Sequence, residues 1–242
     1  MPDHRKHRGA GPRDRDWFGV EARPGLAAAV AELSWLRSRG YAEASALKLV
    51  GDRHLLVERQ RVAVLRSACS DQALADRGAR RLELEAVRGR PLRIDGFNLI
   101  LTLESALGGG VVLGGRDGCF RDLAGVHGTY RRVEETLPAL ELAARWLREW
   151  GVGHCLWLLD APVSNSGRLA AMIRSVATDW SAEVVADPDP ILAAPGDPVA
   201  SADSGVLDRC GAWVNLARAL VGAGAPGAFV ADLAGDGDPP RT

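Results

Sequence analysis

The stretch Ile94-Asp95-Gly96-Phe97-Asn98-Leu99-Ile100-Leu101 places a carboxylate and an amide where an apolar run begins. The run from Leu92 to Leu101 predicts a buried central strand in a sheet that is covered on both faces. A charge at the mouth of such a strand is costly unless it is paired, hydrogen-bonded or bound to a metal. Asp160, Asp203 and Asp208 follow in similar contexts near predicted strand ends, and this recurrence points to a metal-dependent site.

The composition is that of a globular protein with room for one full domain and a small second one. The chain has 242 residues, of which 47% are hydrophobic and 25% charged. Because no apolar run reaches about 18 residues and no secretory signal is present, we expect a cytoplasmic protein that does not contact membranes. The four cysteines are far apart and form no CxxC pair, which excludes a zinc ribbon or a thioredoxin motif.

Changes in composition and hydrophobic pattern along the chain predict four segments: a disordered basic arm (1–22), a helical module (23–88), an α/β domain (91–222) and a flexible tail (223–242). Basic residues are in excess before residue 89, and this excess suits the binding of phosphates. Acidic residues are in excess after it, and that excess suits the binding of divalent cations. The arginines of the helical module either line a phosphate-binding face or lie on a solvated helix face; they are Arg53, Arg59, Arg61 and Arg66.

Beyond Pro91, short apolar strands alternate with helices, which predicts an α/β fold with a mainly parallel sheet. We expect strands at 92–101, 111–113, 154–159, 183–186 and 198–202, with 228–233 as a further edge strand in the tail, and helices at 102–107, 136–150, 167–177 and 206–220. The loop between the strand at 111–113 and the helix at 136–150 is polar and rich in glycine. Such a loop either binds a ligand or is exposed.

Open parallel sheets bind ligands beyond the carboxyl ends of their strands, which is where Asp160 and Asp203 are expected. Asp95 fits the same place if its strand ends soon after it. Clustered carboxylates persist when a hard cation neutralises them, and Mg²⁺ or Mn²⁺ is the usual occupant of an all-oxygen site. Two simpler interpretations stay open: Asp203 caps the helix that follows it, and Asp208 is an exposed helical carboxylate that pairs with Arg209 or Arg218.

The segment Ser164-Asn165-Ser166-Gly167-Arg168 precedes a predicted helix. Its backbone N–H groups and the helix dipole could hold a phosphate, although a run of N-cap residues explains it equally well. The nuclease hypothesis given below assigns the binding of phosphates to five basic side chains: Arg116, Arg121, His127, Arg131 and Arg168.

Several motifs resemble known families. IDGFNLI (94–100) resembles the first-strand motif of the NYN branch of PIN-like nucleases, and ASADSGVLDRC (200–210) resembles the later strand-end aspartate of that branch. A wider set resembles a prokaryotic family of unknown function that pairs a small helical module with a PIN-like domain. The set comprises ALKLVGDRH, IDGFN, TLESAL, GRDGCFRDLAGVHGTYR, VEET, LLDAPVSNSGRL and SADSGVLDR.

The resemblance implies a Rossmann-like, PIN-like three-layer sandwich and a Mg²⁺-dependent ribonuclease-type site. Asp95, Asp160, Asp203 and Asp208 match its acidic positions, Glu135 matches an acid on an intervening helix, and Asn98 matches the asparagine of the first motif. The first hypothesis is therefore a metal-dependent nuclease that acts on RNA. The alternatives are a non-catalytic RNA- or nucleotide-binding module and a phosphohydrolase of a small phosphorylated metabolite.

Overall fold

The structure, a computed structural model, describes residues 6–123 and 130–234. The helices are α1 (Asp14–Phe18), α2 (Arg23–Ser38), α3 (Glu43–Arg53), α4 (Glu58–Ser67), α5 (Asp71–Arg80), α6 (Gly96–Leu107), α7 (Thr136–Glu149), α8 (Ser166–Val176), α9 (Asp189–Ala193), α10 (Ser204–Leu207) and α11 (Leu216–Gly224). The strands are β1 (Arg81–Leu82), β2 (Leu92–Asp95), β3 (Val111–Gly114), β4 (Phe120–Asp122), β5 (Cys155–Asp160), β6 (Trp180–Val185), β7 (Val199–Ala200), β8 (Trp213–Val214) and β9 (Phe229–Asp232). None of the described helices is both long and apolar enough to cross a membrane.

Six strands form an all-parallel sheet in the order β1-β8-β7-β2-β5-β6. From β2 the chain builds outward through β5 and β6, then returns to the other side of β2 and builds β7 and β8. This reversal makes the crevice between β2 and β7 the topological switch point of the sheet, where open α/β sheets bind their ligands.

Helices cover both faces of this sheet and give a Rossmann-like three-layer sandwich. Along β5, Cys155, Trp157 and Leu159 join the core under α6, α7, α8 and α11, while Leu158 joins the core under α9 and α10. This alternation follows from the two-residue period of a strand. Trp157 and Trp180 pack with their ring centroids 4.8 Å apart in the first of these cores.

A second sheet of three strands, in the order β4-β3-β9, joins the helical module to the sandwich. Val111 and Leu113 of β3 and Ala231 of β9 are buried with the apolar faces of α2, α3 and α4 in one core. On its other side, α6 contacts β3 and β4. The helical module and the α/β domain therefore share a core.

The predicted strand 92–101 is wrong: β2 ends at Asp95, and the apolar residues after it form α6. Ten of the twelve residues of α6 are buried, because this helix lies between the two sheets. A helix buried on all sides shows no amphipathic period, so its sequence resembles a buried strand.

Three other sequence predictions are corrected. The predicted helix 206–220 is divided into α10, strand β8 and α11, with Trp213 and Val214 buried in the six-stranded sheet. The predicted flexible tail 223–242 contains β9, at the place of the predicted edge strand 228–233, and β9 pairs with β3 in parallel. The predicted arm 1–22 contains α1, whose Phe18 is fully buried and whose Asp14 pairs with Arg59 at 2.6 Å.

Candidate functional site

A cleft of about 220 Å³ opens at the carboxyl ends of the central strands. Asp95 is the last residue of β2, Asp160 is the last of β5, and Asp203 follows β7. All three line the cleft, as do eight other residues: Arg66, Phe97, Asn98, Leu101, Asp122, Val163, Pro188 and Asp189. The strand ends thus bring together three of the predicted aspartates at the switch point of the sheet.

Asp95 is a buried carboxylate of this cleft. Its Oδ2 accepts a 2.7 Å hydrogen bond from Ser201 Oγ, and its Oδ1 accepts one from the Asn98 amide N–H in the first turn of α6. Burial, together with the negative charges of Asp203 and Asp160, raises the pKa of Asp95 to about 7. Near neutral pH this carboxyl therefore exists in both protonation states.

Asp160 and Asp189 are half-buried at the rim of the cleft. Burial raises the pKa of Asp160, and the charge of Asp187 raises it further. Burial also raises the pKa of Asp189, with added repulsion from Asp203, Asp187 and Asp160. Asp189 belongs to the Asp187-Pro188-Asp189 turn after β6, and the signal that could have identified it is its place after a strand end, the same signal that marked Asp160.

Asp203 caps helix α10: its Oδ1 accepts hydrogen bonds from the N–H groups of Gly205 and Val206 at 2.7 and 3.1 Å. The capping alternative is thus correct, and the same residue also lines the cleft. Asn98 fixes this loop against α6, since its Oδ1 accepts a 3.0 Å hydrogen bond from the Ala202 N–H. Ser201 Oγ accepts another from the Asp203 N–H, which links Asp203 to Asp95 through one hydroxyl.

The side-chain oxygens that line the cleft belong to carboxylates and to the Asn98 amide, and such oxygens suit a hard divalent cation. Within 6–123 and 130–234, however, no three His, Cys, Asp or Glu side chains are placed closely enough to hold one metal ion together. Mg²⁺ commonly takes one or two protein carboxylates and fills its other positions with water and substrate phosphate oxygens. At a site of that kind, Asp95 and Asp203 are the residues that would hold the cation.

Asp208 and Glu135 lie elsewhere. Asp208 directly follows α10 and pairs with the buried Arg77 of α5 at 2.7 Å, so it is an ion-paired carboxylate, but its partner is neither Arg209 nor Arg218. Glu135 precedes α7 and contacts His7 at 2.7 Å and the Arg8 N–H at 3.2 Å. Neither residue lines the cleft.

Two predicted phosphate ligands, Arg116 and Arg121, have structural contacts instead. Arg116 pairs with Asp71 and donates to the Cys69 carbonyl, which ties the loop after β3 to the helical module. Arg121 is buried, pairs with Asp117 at 2.6 Å and donates to the Ala202 carbonyl. His127 lies outside the described residues.

Arg131 and Arg168 come together in a second groove, of about 340 Å³, beside the first turn of α8. Arg132, which was not predicted, also lines it, and all three arginines are exposed. Val163 of the cleft and Asn165 of this groove belong to the same turn after β5, so the two depressions are neighbours. We call the three arginines and their depression the arginine groove.

Hydrogen bonds to backbone carbonyls hold the Ser164–Ser166 turn in place. Asn165 has a left-handed φ of 73° and donates to the Tyr130 carbonyl at 2.9 Å, while the Ser164 carbonyl accepts from the Tyr130 N–H. Ser166 Oγ is within hydrogen-bond distance of the Asp160 and Val163 carbonyls. The serine and asparagine side chains thus shape the turn between the cleft and the arginine groove.

Comparisons with known proteins agree with the two-part organisation. A family model described as a protein of unknown function (DUF434) matches residues 25–80, which are the helical module. The uncharacterized protein MJ0935 of Methanocaldococcus jannaschii is 30% identical over 152 residues, which is 63% of this chain and 73% of that protein. No solved structure is significantly similar to the chain. A second family model, described as a domain of unknown function (DUF5616), matches residues 84–219, which is more than half of the sequence, and the chain therefore belongs to the DUF5616 family.

Proposed function

We propose that this protein is a Mg²⁺- or Mn²⁺-dependent nuclease that cleaves RNA, with a PIN-like catalytic domain. The observation that carries the proposal is the convergence of Asp95, Asp160 and Asp203 on one cleft at the switch point of the sheet. Buried carboxylates that repel each other cost folding free energy, and they are typical of functional sites that bind a cation.

Asp95 and Asp203 are the proposed ligands of the cation, and Asp160 and Asp189 are proposed to orient water and substrate at its rim. When bound there, Mg²⁺ or Mn²⁺ polarises a phosphodiester and lowers the pKa of water. Asp95 must lose its proton before it can hold a cation, and its pKa of about 7 makes that step pH-dependent near neutrality. Ser201 and Asn98 keep the ionised carboxylate oriented through the hydrogen bonds described above.

RNA is the proposed substrate for two reasons. The arginine groove offers three exposed cations beside the acidic cleft, so phosphates that flank the cleaved bond have a place to bind. The motifs at 94–100 and 200–210 resemble those of a ribonuclease-type superfamily. A flexible single strand can bend from the cleft into the groove, whereas a duplex is too stiff to follow such a path.

The test is cleavage of a fluorescently labelled single-stranded RNA by the purified full chain. We expect cutting with Mn²⁺ or Mg²⁺, no cutting in EDTA, and a loss of at least about 100-fold in Asp95→Asn, because that change removes a proposed metal ligand. Asp76→Asn, an exposed carboxylate of α5, is the matched control and should cut like the wild type. Cutting that persists in EDTA, or full activity in Asp95→Asn, would contradict the proposal.

A further inference from the structure

The helical module contributes one side chain to the cleft: Arg66, near the end of α4. The sequence suggests three other arginines of this module as a phosphate-binding face, but each of them pairs with an acidic residue outside the cleft. Arg59 pairs with Asp14, Arg61 with Asp52, and Arg53 with Glu32. Arg66 is therefore the member of that set that is placed to meet a ligand in the cleft.

The contacts of Arg66 leave part of its guanidinium unused. One nitrogen, Nη2, lies 3.2 Å from Asp122 Oδ1, while Nε is buried and has no hydrogen-bond partner among the described residues. A buried donor without a partner destabilises the fold. The ion pair with Asp122 accounts for the position of the side chain, but it leaves the Nε–H unpaired.

We infer that Arg66 binds a phosphate group of the nucleic acid strand in the cleft, as a phosphate-binding residue supplied by the helical module. This inference rests on the proposed function and names the protein group that meets the substrate. A guanidinium presents parallel N–H donors that match two oxygens of one phosphate, and a phosphate oxygen at Nε would satisfy the orphaned donor.

Charge supports the same assignment. Asp95, Asp160, Asp189 and Asp203 line the cleft, so a polyanionic strand is repelled from it unless cations compensate. Arg66 is the cationic side chain among the described residues that line the cleft, where it pairs with Asp122, and a bound metal ion would add a second positive charge. Because Arg66 belongs to the helical module, the cleft is complete only when that module is in place.

The experiment measures the binding of a fluorescein-labelled single-stranded RNA to the full chain by anisotropy, with Ca²⁺ in the buffer. RNA integrity is checked on a gel after each measurement. The variants are Arg66→Ala, Arg66→Lys and the control Arg53→Ala, which removes the same charge from an exposed position of the same module. Thermal denaturation establishes that each variant is folded.

We expect Arg66→Ala to bind at least about tenfold more weakly than the wild type, as for the loss of a hydrogen bond between charged groups. Its plot of log affinity against log salt should be shallower by about 0.7, as for one lost phosphate contact on a single strand. Arg66→Lys should bind with intermediate affinity, because a lysine keeps the charge and loses the fork. Arg53→Ala should keep the affinity within about twofold and the slope of the wild type.

Equal affinity of Arg66→Ala and Arg53→Ala, or no RNA binding by the wild type, would overturn the inference. Should Arg66→Ala fail to fold, Arg66→Lys decides: affinity like that of Arg53→Ala overturns the inference, and clearly weaker affinity supports it. A wild type that binds RNA with the Arg66 dependence but does not cut it with Mn²⁺ would refute the nuclease proposal and leave the role of Arg66 standing.

Discussion

Asp95 illustrates how one residue can combine two requirements that oppose each other. It caps α6 and accepts a hydrogen bond from the Ser201 hydroxyl, so the orientation of its carboxylate is fixed. It is also buried next to other carboxylates, and its pKa is therefore raised. A group whose pKa is higher in the folded than in the unfolded state stabilises the fold below its unfolded pKa. That stability is lost as the pH rises through the folded pKa.

For Asp95 this loss falls between about pH 4 and pH 7 and amounts to as much as about 4 kcal/mol. Asp95→Asn removes the titration. The free energy of unfolding of the variant relative to wild type should therefore increase from pH 4 to pH 8, measured by urea denaturation in EDTA. A difference between the two proteins that is the same at all pH values would show that Asp95 does not carry the raised pKa.

Two buried arginines, Arg77 and Arg121, have the opposite effect on the pKa of a buried carboxyl group. Arg77 and Arg121 both contact Asp117, and their charges hold the pKa of that carboxyl below its usual range in spite of its burial. Arg77 also reaches Asp208, and Arg121 reaches the Ala202 carbonyl next to Asp203. This network joins α5, the loop after β3 and the loop after β7, so it positions one edge of the cleft.

At the scale of elements, the close approach of α6 to β5 is the feature on which the cleft depends. A Cβ on Gly96 would lie 2.6 Å from Leu159 Cδ2 and 2.9 Å from the Leu158 carbonyl oxygen, which no side chain tolerates. Glycine at the first position of α6 therefore allows the helix to start directly behind Asp95.

Gly96→Ala is expected to lower the free energy of unfolding by about 1–3 kcal/mol, because the added methyl group pushes α6 away from β5. Gly167→Ala is the matched control: it is also in the first turn of a helix, α8, and its Cβ would meet nothing within 4 Å. The control should stay within about 1 kcal/mol of the wild type in urea denaturation. Equal effects of the two changes would mean that helix propensity, and not the contact with β5, limits position 96.

Elements with a clear period were predictable from the sequence, and those without one were not. The amphipathic pattern over 136–150 predicted α7, and the apolar run before Asp160 predicted β5. The run over 96–101 lacks a polar face because both sheets cover α6, so its pattern predicts a strand, and only 102–107 predicts a helix. Strand β8 is short and pairs with distant partners, so nothing local to Trp213–Val214 specifies it, whereas the apolar run 228–233 predicts an edge strand where β9 lies.

The same limit applies to the site. Asp160 and Asp203 were predictable because each comes at or after the end of an apolar strand, and such ends meet in a parallel sheet. Asp95 follows the same rule only because its strand ends at Asp95, whereas the predicted strand continues to 101. The place of Arg66 in the cleft was not predictable, since the packing of α4 against β3 brings it there. The pairing of Asp208 with Arg77 likewise joins residues 131 positions apart.

For the whole molecule, the shared core predicts that the two parts do not fold separately. Removal of residues 6–80 would expose the face of the second sheet that α2 and α4 cover, including Val111, Leu113 and Ala231. The fragment 84–234 should therefore bind a hydrophobic dye and lack a cooperative transition, while the full chain should unfold in one calorimetric transition. A fragment with a sharp transition of its own and native near-ultraviolet circular dichroism would contradict this prediction.

The parallel pairing of β3 with β9 has a consequence for the time at which the molecule becomes competent. Residues 231 and 233 complete a core whose other members begin at Phe18, so a ribosome must make almost the whole described chain before that core can close. Contacts so distant in sequence close slowly, because the entropy of a long loop is lost first. Arg66 follows Val64 and Leu65, which pack in or against that core, and a nascent chain accordingly has no finished cleft until the core closes.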